Sequence, residues 1–244
     1  MRGSTPDKKS LIIIHFPQTV KQYATAPICP GREIEVPEQC PSCQAIGELI
    51  RWGYYRRQVK TGVVIWPILV QRVRCKGCEV THGLLPDFVH PYRHYALVLM
   101  QQVIWLHLFL GLSGERLLAK LGLSAGPEVE TLRAWLSSYG YGAGYLLWGA
   151  LQRFVGRHFP DSPLLPGRAP PHLNRRKEAN HQQKGYHYWQ LAEILYARLK
   201  QIAPQMTFEA GQLLVFMLHW QQSVGLVPRI FWSPRLKTTP TAPF

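Results

Sequence analysis

Acidic residues are scarce in this chain of 244 residues. Asp and Glu number 14, against 28 Lys and Arg, which gives a formal net charge of +14 at pH 7. The aspartates are Asp7, Asp87 and Asp161, and the acidic residues that follow the last of them are Glu178, Glu193 and Glu209. Enzymes that move phosphoryl groups with two metal ions hold those ions in a cluster of carboxylates. No such constellation is available here, so we expect no catalytic residues and a protein that is not an enzyme.

A long uninterrupted apolar run is also missing. The most apolar stretch, Leu97–Leu110, is broken by Gln101, Gln102 and His107, and it is too short to span a bilayer. The apolar run near the amino terminus, Leu11–Ile14, is too short for a convincing secretion signal. We therefore expect a core helix at 97–110, a cytoplasmic protein and no membrane partner.

The cysteines do not form the even set of a secreted disulfide framework. There are five, arranged as two close pairs and the single Cys29. Pairs with the spacing Cys-x2-Cys indicate metal binding in a reducing compartment. The chain is 46% hydrophobic, which is enough to bury a core and argues against a largely disordered protein.

The excess of positive charge indicates a polyanionic partner. Nucleic acid is the polyanion that an intracellular protein meets most often, although basic proteins also include ribosomal and membrane-surface ones. Charge alone therefore favours nucleic acid without selecting DNA or RNA.

The pattern along the chain predicts an α+β protein without internal repeats. The predicted segments are an amino-terminal arm (1–37) with one strand at Leu11–Phe16, a β-rich segment (38–92), a helical segment (93–159), a basic Pro-rich linker or loop (160–185), a carboxy-terminal helical region (186–232) and a disordered tail (233–244). The predicted helices cover Tyr95–Gly111, Ser113–Leu121, Pro127–Tyr139, Tyr145–Phe159, Tyr188–Ile202 and Phe208–Val224, the last capped by Thr207.

Two functions are open for the carboxy-terminal helices. Tyr186, Tyr188 and Trp189 look exposed, and the apolar helix after Thr207 could contact a partner or a second copy of the chain. The alternative, which we favour, is a helical core packed on residues 95–159.

The two cysteine pairs predict a zinc ribbon. Cys40 and Cys43 stand in CPSC, Cys75 and Cys78 stand in CKGC, and two such turns supply the four tetrahedral thiolates that a structural zinc ion needs. Between them lies a predicted hairpin, Leu49–Val59 and Val63–Arg74 joined by Lys60-Thr61-Gly62, with Pro41 stiffening the first turn and Gly77 permitting the second. A coincidental pairing or a redox dithiol is the alternative. Cys29, His82 and His90 are nearby candidates that we expect to be packed or capping groups.

Basic and aromatic residues alternate along the hairpin. Trp52, Tyr54, Tyr55 and Trp66 are interleaved with the cations of both strands. Such a surface suits phosphate contact and stacking on bases or sugars, whereas the alternative is a solvated strand face over a small core. The predicted nucleic-acid contacts in the whole chain are Arg51, Arg56, Arg57, Lys60, Arg72, Arg74, Lys76, Arg93, Arg116, Lys120, Thr131, Arg133, Arg175, Arg176 and Lys177.

Residues 113–139 predict a helix-turn-helix. The first helix would start at the N-cap Ser113, turn its leucines inward (Leu117, Leu118, Leu121) and end at Gly122. The second would start near Pro127 and bury Val129, Leu132, Trp135 and Leu136, leaving Glu128, Glu130, Thr131, Arg133 and Ala134 for a major groove. The glutamates would accept from cytosine or complement the helix dipole, and a plain helical hairpin of the core is the alternative.

The run CPSC…LIRWGYYRR…VQRVRCKGCEVTHGLLPDFVHPYRHY, followed by LAKLGLS…TLRAWL, resembles the amino-terminal region of bacterial insertion-sequence transposases and their orphan relatives. The resemblance covers residues 38–140. It implies that the four paired cysteines ligate zinc and that the following helices read transposon-end DNA. The chain departs from the family in a longer turn between Ser124 and Thr131 and in lacking the catalytic carboxylates, so nuclease and strand-transfer activity are not carried over.

We therefore expect a non-catalytic DNA-binding protein of a mobile genetic element, stabilised by one structural zinc ion. Double-stranded DNA is the expected partner. A separate transposase or nuclease subunit and a second copy of the chain, forming a homodimer, are further candidate partners. The alternatives are an RNA-binding or scaffold subunit of a nucleoprotein complex, and a protein-interaction subunit whose charge only supports solubility.

Overall fold

The structure is a computed structural model that describes residues 10–27, 30–91, 93–123, 126–137, 142–161, 179–204 and 213–223. The chain divides into two compact units, residues 1–97 and 98–244. The first unit holds the sheet and the second holds most of the helices, so the predicted α+β class is confirmed.

A four-stranded sheet forms the first unit. Its elements are β1 (Ser10–Ile14), α1 (Val20–Thr25), a 3₁₀ turn (Pro30–Arg32), β2 (Leu49–Lys60), β3 (Ile65–Cys75) and β4 (Thr81–Pro86). The strand order is β1-β4-β3-β2, with β1 parallel to β4 and the other neighbours antiparallel. The predicted hairpin is thus present as β2 and β3, and its turn is closed by a hydrogen bond from Thr61 N to Val64 O (3.0 Å).

The described part of the predicted amino-terminal arm contains the predicted strand, as β1, and belongs to this unit. β1 supplies an outer strand of the sheet, and α1 begins at a capping box in which Thr19 and Gln22 satisfy each other's main-chain N–H groups. Val20 and Tyr23 are buried, and the Tyr23 hydroxyl donates to the carbonyl of Leu69 (2.8 Å). Threonine followed three residues later by glutamine was the available sequence signal for this helix.

A bulge in β2 decides which side chains share a face. Arg51 pairs with Val73 and Gly53 pairs with Arg72, so Trp52 is the extra residue between them. An extra residue reverses the alternation of side chains along the bulged strand. The bulge therefore allows Trp52 and Tyr55 to lie on the same face as Arg72.

The cysteine end of the sheet has an apolar core on its opposite face. Buried members of this cluster are Ile12, Cys40, Leu49, Val73, Cys75 and Leu84. All of them except Cys40 lie on strands, and Leu49 pairs with Cys75 in the ladder. Cross-strand neighbours of this kind pack directly on each other, so two of the cysteines are built into the core itself.

The second unit is helical. Its helices are α2 (Leu97–Leu110, whose first residue belongs to the sheet unit), α3 (Gly114–Leu121), α4 (Val129–Trp135), α5 (Gly142–His158), α6 (Ala179–Ile202) and α7 (Leu213–Ser223). The sequence predicted each of these helices, but α6 begins at Ala179, inside the range assigned to a linker. Residues 162–178 of that linker and the proposed cap Thr207 lie outside the described residues.

Helices α5 and α6 approach closely at a glycine. A Cβ at Gly144 would lie 2.7 Å from the Gly185 carbonyl oxygen and 2.9 Å from Trp189 Cδ1. Trp189 is completely buried and Tyr188 is 5% exposed. The expectation that Tyr188 and Trp189 face solvent is therefore wrong, because both are buried and the ring of Trp189 fills the space beside Gly144. The side chain of Tyr186 lies outside the described residues.

Helix α7 belongs to the core of the second unit. Its residues Leu213 to Leu218 are all buried, Phe216 packs edge-on against Phe154 of α5 (5.1 Å between ring centroids), and Leu214 N donates to Gln101 Oε1 of α2 (3.0 Å). A helix that is apolar on all sides is one that is enclosed. These contacts show that α7 packs on α5 and α2, as the core interpretation predicted. Among the described residues, no helix combines the length and the apolarity needed to cross a membrane.

Candidate metal centre and basic surface

The two cysteine turns have the same main-chain hydrogen bonds. In the first, Gln44 N donates to Cys40 O (2.8 Å) and Cys40 N donates to Ala45 O (2.9 Å). In the second, Glu79 N donates to Cys75 O (2.9 Å) and Cys75 N donates to Val80 O (3.0 Å). Each turn thus presents its two sulfurs in the same way, as expected for a ribbon built from two knuckles.

Both knuckles place a left-handed residue directly after the second cysteine. Gln44 has a φ of 63° and Glu79 a φ of 60°. A non-glycine residue in this region carries a conformational cost that the surrounding structure must offset. The sequence prediction assigned the tight turn of the second knuckle to Gly77, but the positive φ is found at Glu79 instead.

The four sulfurs form one cluster. All four lie within 4.8 Å of one another, with Cys40 Sγ 3.7 Å from Cys78 Sγ and Cys43 Sγ 3.6 Å from Cys75 Sγ. A disulfide would bring two sulfurs to about 2.05 Å, and all four cysteines are free. Zinc–sulfur bonds of about 2.3 Å in a tetrahedron separate the sulfurs by about 3.8 Å. The four sulfurs therefore fit tetrahedral coordination of a metal ion by thiolates, and the structure brings the four predicted ligands together.

Main-chain N–H groups favour a thiolate at Cys75. The N–H of Cys78 stabilises that thiolate and lowers the pKa of Cys75 to about 7. Burial acts in the opposite direction at Cys40 and raises the pKa of its thiol. A thiolate is the metal-binding form, and hydrogen bonds to the main chain favour that form at Cys75.

His82 lies beside the cluster. Its Nε2 is 3.4 Å from Cys40 Sγ, the residue is fully buried, and burial lowers the pKa of its imidazole, so the ring is neutral. In the tautomer that carries a proton on Nε2, the ring donates an N–H···S hydrogen bond to the ligand sulfur. The sequence analysis expected His82 to be a packed or capping group rather than a ligand, and the structure places it buried, with its ring packed against the sulfur of Cys40.

The other two nearby candidates stand apart from the cluster. Cys29 lies outside the described residues. His90 is not one of the possible metal ligands that cluster with Cys40, Cys43, Cys75 and Cys78. His90 is buried, and burial together with the charges of Arg93 and Arg57 lowers its pKa to about 3.

A basic–aromatic face, composed of Trp52, Tyr55, Arg72 and Arg74, covers the cysteine end of β2 and β3. The guanidinium carbon of Arg74 lies 4.8 Å from the centroid of the Trp52 ring, and that of Arg72 lies 5.1 Å from Tyr55. Trp52 is 51% exposed. Arg74 also pairs with exposed Glu79 (3.2 Å). Stacked pairs of this kind hold cations and aromatic surface side by side.

Gly83 makes room for this face. A Cβ at Gly83 would lie 3.3 Å from both Cε1 and the hydroxyl oxygen of Tyr55 and 3.2 Å from Leu11 Cδ2. Gly83 pairs with Arg72 in the sheet. The ring of Tyr55 therefore occupies the space that a side chain on β4 would fill.

The other residues of the sheet unit that were predicted to contact nucleic acid differ in how free their charged groups are to meet a ligand. The Arg51 guanidinium donates to the Gly31 (3.0 Å) and Ile34 (2.5 Å) carbonyls, and that of Arg57 donates to three carbonyls of the 90–93 turn. Lys60 lies over the Tyr95 ring (5.5 Å). Exposed members of the set are Arg51, Arg56, Lys76 and Arg93. Arg51 and Arg57 are thus engaged within the fold.

The two helices of the predicted helix-turn-helix are present in the second unit. Leu117 of α3 and Leu132, Trp135 and Leu136 at α4 are buried. Gly122 adopts a left-handed φ of 58° at the end of α3, as predicted, whereas Ser113 occupies the N-cap position without a side-chain cap bond.

The predicted groove-facing residues of α4 are mainly on its outer side. Glu128, Glu130, Arg133 and Ala134 are exposed and Thr131 is half-buried, while Arg133 pairs with Glu130 (3.6 Å). Arg116 and Lys120 of α3 are exposed, and Arg175, Arg176 and Lys177 lie outside the described residues.

Residues 40–108 match a family model described as a domain of unknown function, DUF6431. The matched segment starts at the first clustered cysteine and contains all four. No curated protein matches the chain, and no solved structure does.

Proposed function

We propose that this protein is a non-catalytic DNA-binding protein of a mobile genetic element, held in shape by one structural zinc ion. The observation that carries the proposal is the basic–aromatic face on the strands that lead to the cysteine knuckles. The net charge of +14 supports a polyanionic partner. Cations beside exposed aromatic rings combine phosphate attraction with stacking surface.

The metal is assigned a folding role. Four thiolates fill a tetrahedral site, so no position is left for water or substrate. Cys40 and Cys75 belong to the apolar core beneath the basic–aromatic face. Binding a zinc ion there would fix the ends of β2 and β3 and, through them, the positions of Arg72 and Arg74.

Helices α3 and α4 are proposed as a helix-turn-helix that reads duplex DNA. The support is an amphipathic pair whose inner leucines and Trp135 are buried and whose outer side carries Arg133 and Thr131. Duplex specificity rests on this pair, because stacking and phosphate contact on the sheet unit suit single strands and RNA as well. The mobile-element context rests on the resemblance of residues 38–140 to insertion-sequence transposases.

A selection from random DNA duplexes tests the proposal. We expect the full-length, zinc-loaded protein to enrich a common sequence and to bind it in a gel shift in the presence of single-stranded DNA and RNA competitors. Arg133→Ala is expected to reduce discrimination among duplexes, because base-edge contacts each contribute about 1–3 kcal/mol.

The matched control is Arg198→Ala, which removes an exposed arginine of α6 that has no proposed role. It should leave the selected sequence and its affinity unchanged. Equal binding to all nucleic acids would contradict the DNA proposal, and a preference for RNA would favour the nucleoprotein-scaffold alternative. Absence of binding at low salt would favour a protein-interaction subunit.

A further inference from the structure

A cleft of about 420 Å³ lies in the sheet unit beside the middle of β2. It is lined by Tyr55, Arg56, Arg57, Gln58, Pro91, Arg93 and His94. Three of these residues are arginines and none is acidic. One wall is the strand itself, and the other is the turn that carries Pro91, Arg93 and His94.

The turn is fixed to the strand by main-chain hydrogen bonds. Arg93 N donates to His90 O (3.4 Å), Lys60 N donates to His94 O (2.6 Å), and Ala96 N donates to Lys60 O (3.0 Å). The two walls of the cleft are therefore held at a set spacing before any ligand arrives. Preorganisation of this kind lowers the entropic cost of binding.

Arg57 supplies a buried positive charge at this place. Its guanidinium donates to the carbonyl oxygens of His90 (2.5 Å), Pro91 (3.0 Å) and Arg93 (2.7 Å). Its Nε is buried without a hydrogen-bond partner, and no carboxylate among the described residues pairs with it. The carbonyl groups accept from the two terminal nitrogens of Arg57 but leave its net charge in place, so the cleft has a positive potential.

Two arginines on the walls carry donors that solvent can reach. Arg56 and Arg93 are exposed, as are Gln58 and His94. Two guanidinium groups can grip an oxyanion with bidentate hydrogen bonds. The charges of Arg57 and Arg93 also help burial to lower the pKa of His90, which agrees with a positive potential here.

We propose that this cleft binds a phosphate group, with Arg56 and Arg93 as its contacts and Arg57 as the positioning residue that holds the turn. The phosphate can be a free anion or part of a nucleic-acid backbone, and only the second source rests on the proposed function. In that case the cleft adds an anchoring contact next to the basic–aromatic face, with which it shares Tyr55.

Titration with inorganic phosphate tests the site without nucleic acid. In ¹H–¹⁵N NMR spectra of the zinc-loaded full chain, we expect saturable shifts at the amides of residues 55–58 and 93–94, with a Kd on the order of 1 mM. Sodium chloride at the same ionic strength should not reproduce them. Arg56→Gln/Arg93→Gln should abolish saturation, whereas Lys21→Gln/Arg198→Gln, which removes two exposed charges elsewhere, should retain it. Shifts that match those with chloride would overturn the proposal.

Binding to a duplex at several salt concentrations separates the two sources of phosphate. If the cleft holds a backbone phosphate, Arg56→Gln/Arg93→Gln should reduce the log–log salt slope by about 0.9 for each phosphate that is no longer held, and the control pair should not. Phosphate binding without DNA binding would support the phosphate site in the cleft and contradict the proposed function. DNA binding with an unchanged salt slope, together with no saturable shifts on addition of phosphate, would contradict the phosphate site and support the proposed function.

Arg57→Lys tests the positioning role. A lysine keeps the charge but cannot reach three carbonyls with a planar fork. We expect the amide resonances of residues 90–94 to shift or broaden without ligand and phosphate affinity to fall at least threefold. Unchanged spectra with unchanged affinity would exclude a positioning role for Arg57.

Discussion

Cys40 is held from two directions. Its main chain is closed into a knuckle by Gln44 and Ala45, and its sulfur faces the imidazole of His82 at 3.4 Å. Four thiolates around one divalent ion carry a net charge of −2, and N–H···S hydrogen bonds spread that charge. His82 is therefore placed to tune, from the sheet core, a metal ion held by Cys40.

Replacing His82 by leucine is expected to weaken metal binding without changing its stoichiometry. The loss of an outer-shell hydrogen bond to a ligand typically costs about 10–100-fold in metal affinity. Competition with a coloured chelator measures that affinity, and cobalt substitution reports the ligand set. His82→Gln, whose amide can restore an N–H donor, should recover much of the affinity. A His82→Leu protein as tight as the wild type would show that the histidine is only a packed core residue.

The ligands were predictable from spacing, but the conformations and partners around them were not. Two Cys-x2-Cys turns flanking a hairpin indicate a ribbon because thiolate ligands must come from short turns. Nothing local in the sequence marks Gln44 or Glu79 for a positive φ, since glycine is the usual residue there. His82 becomes a donor through the pairing of β4 with β3, which is a tertiary event.

At the scale of elements, close approach between helices depends on small residues. Gly144 of α5 faces the main chain of Gly185 and the ring of Trp189 on α6, whereas Gly149, also in α5, has only the flexible guanidinium of Arg153 nearby, at 3.5 Å. The same substitution at the two positions therefore has opposite consequences.

Gly144→Ala is expected to destabilise the helical unit by about 1–3 kcal/mol, because an added methyl must displace main chain or a buried indole. Gly149→Ala is expected to be neutral or to stabilise it by up to about 1 kcal/mol, since alanine favours the helix. Urea unfolding followed by circular dichroism at 222 nm measures both. Equal effects of the two alanines would contradict the close approach of the helices.

Glu193 in α6 makes the stability of the helical unit depend on pH. Burial raises the pKa of its carboxyl to about 7, and its Oε1 has no hydrogen-bond partner among the described residues. A raised native pKa means that the folded state binds the proton more tightly than the unfolded state. The contribution is fully present below about pH 4.5 and is lost as the pH rises through 7.

Glu193→Gln is expected to reduce this dependence, because the amide stays neutral at every pH. Thermal unfolding monitored at 222 nm between about pH 5 and 8 should show a wild-type midpoint that falls with rising pH relative to the variant. The variant should gain most at the alkaline end. Parallel profiles for the two proteins would show that Glu193 does not carry the proton in the folded state.

The elements themselves were largely predictable, and the exceptions have physical causes. Periodicity located β2, β3 and the helices, because each of them hides one face. It could not locate the start of α6, where a polar first turn resembles a loop, and it did not reveal that β1 joins the sheet through a parallel pairing with β4. Such a pairing joins distant parts of the chain and leaves no local signal.

At the scale of the whole molecule, a sheet unit that contains a four-cysteine cluster and a larger helical unit share one basic chain. The apolar cluster beneath the knuckles contains two ligand cysteines, so folding of the sheet unit and metal binding are linked. The basic–aromatic face lies on the same strands. The DNA binding that we propose for this face should therefore depend on a metal ion at the four cysteines, even though no residue of the face is one of those cysteines.

We propose that the metal centre shapes a DNA-binding surface. The most direct test is to measure the affinity of one protein sample for DNA with zinc bound, after zinc has been removed, and after it has been restored. Fluorescence anisotropy of a labelled duplex, taken from the selection, should show tight binding by the loaded protein, at least tenfold weaker binding after chelation, and recovery when one equivalent of Zn²⁺ is restored. The same affinity with and without zinc, in a protein shown to hold one ion per chain, would contradict the claim that the metal centre shapes a DNA-binding surface.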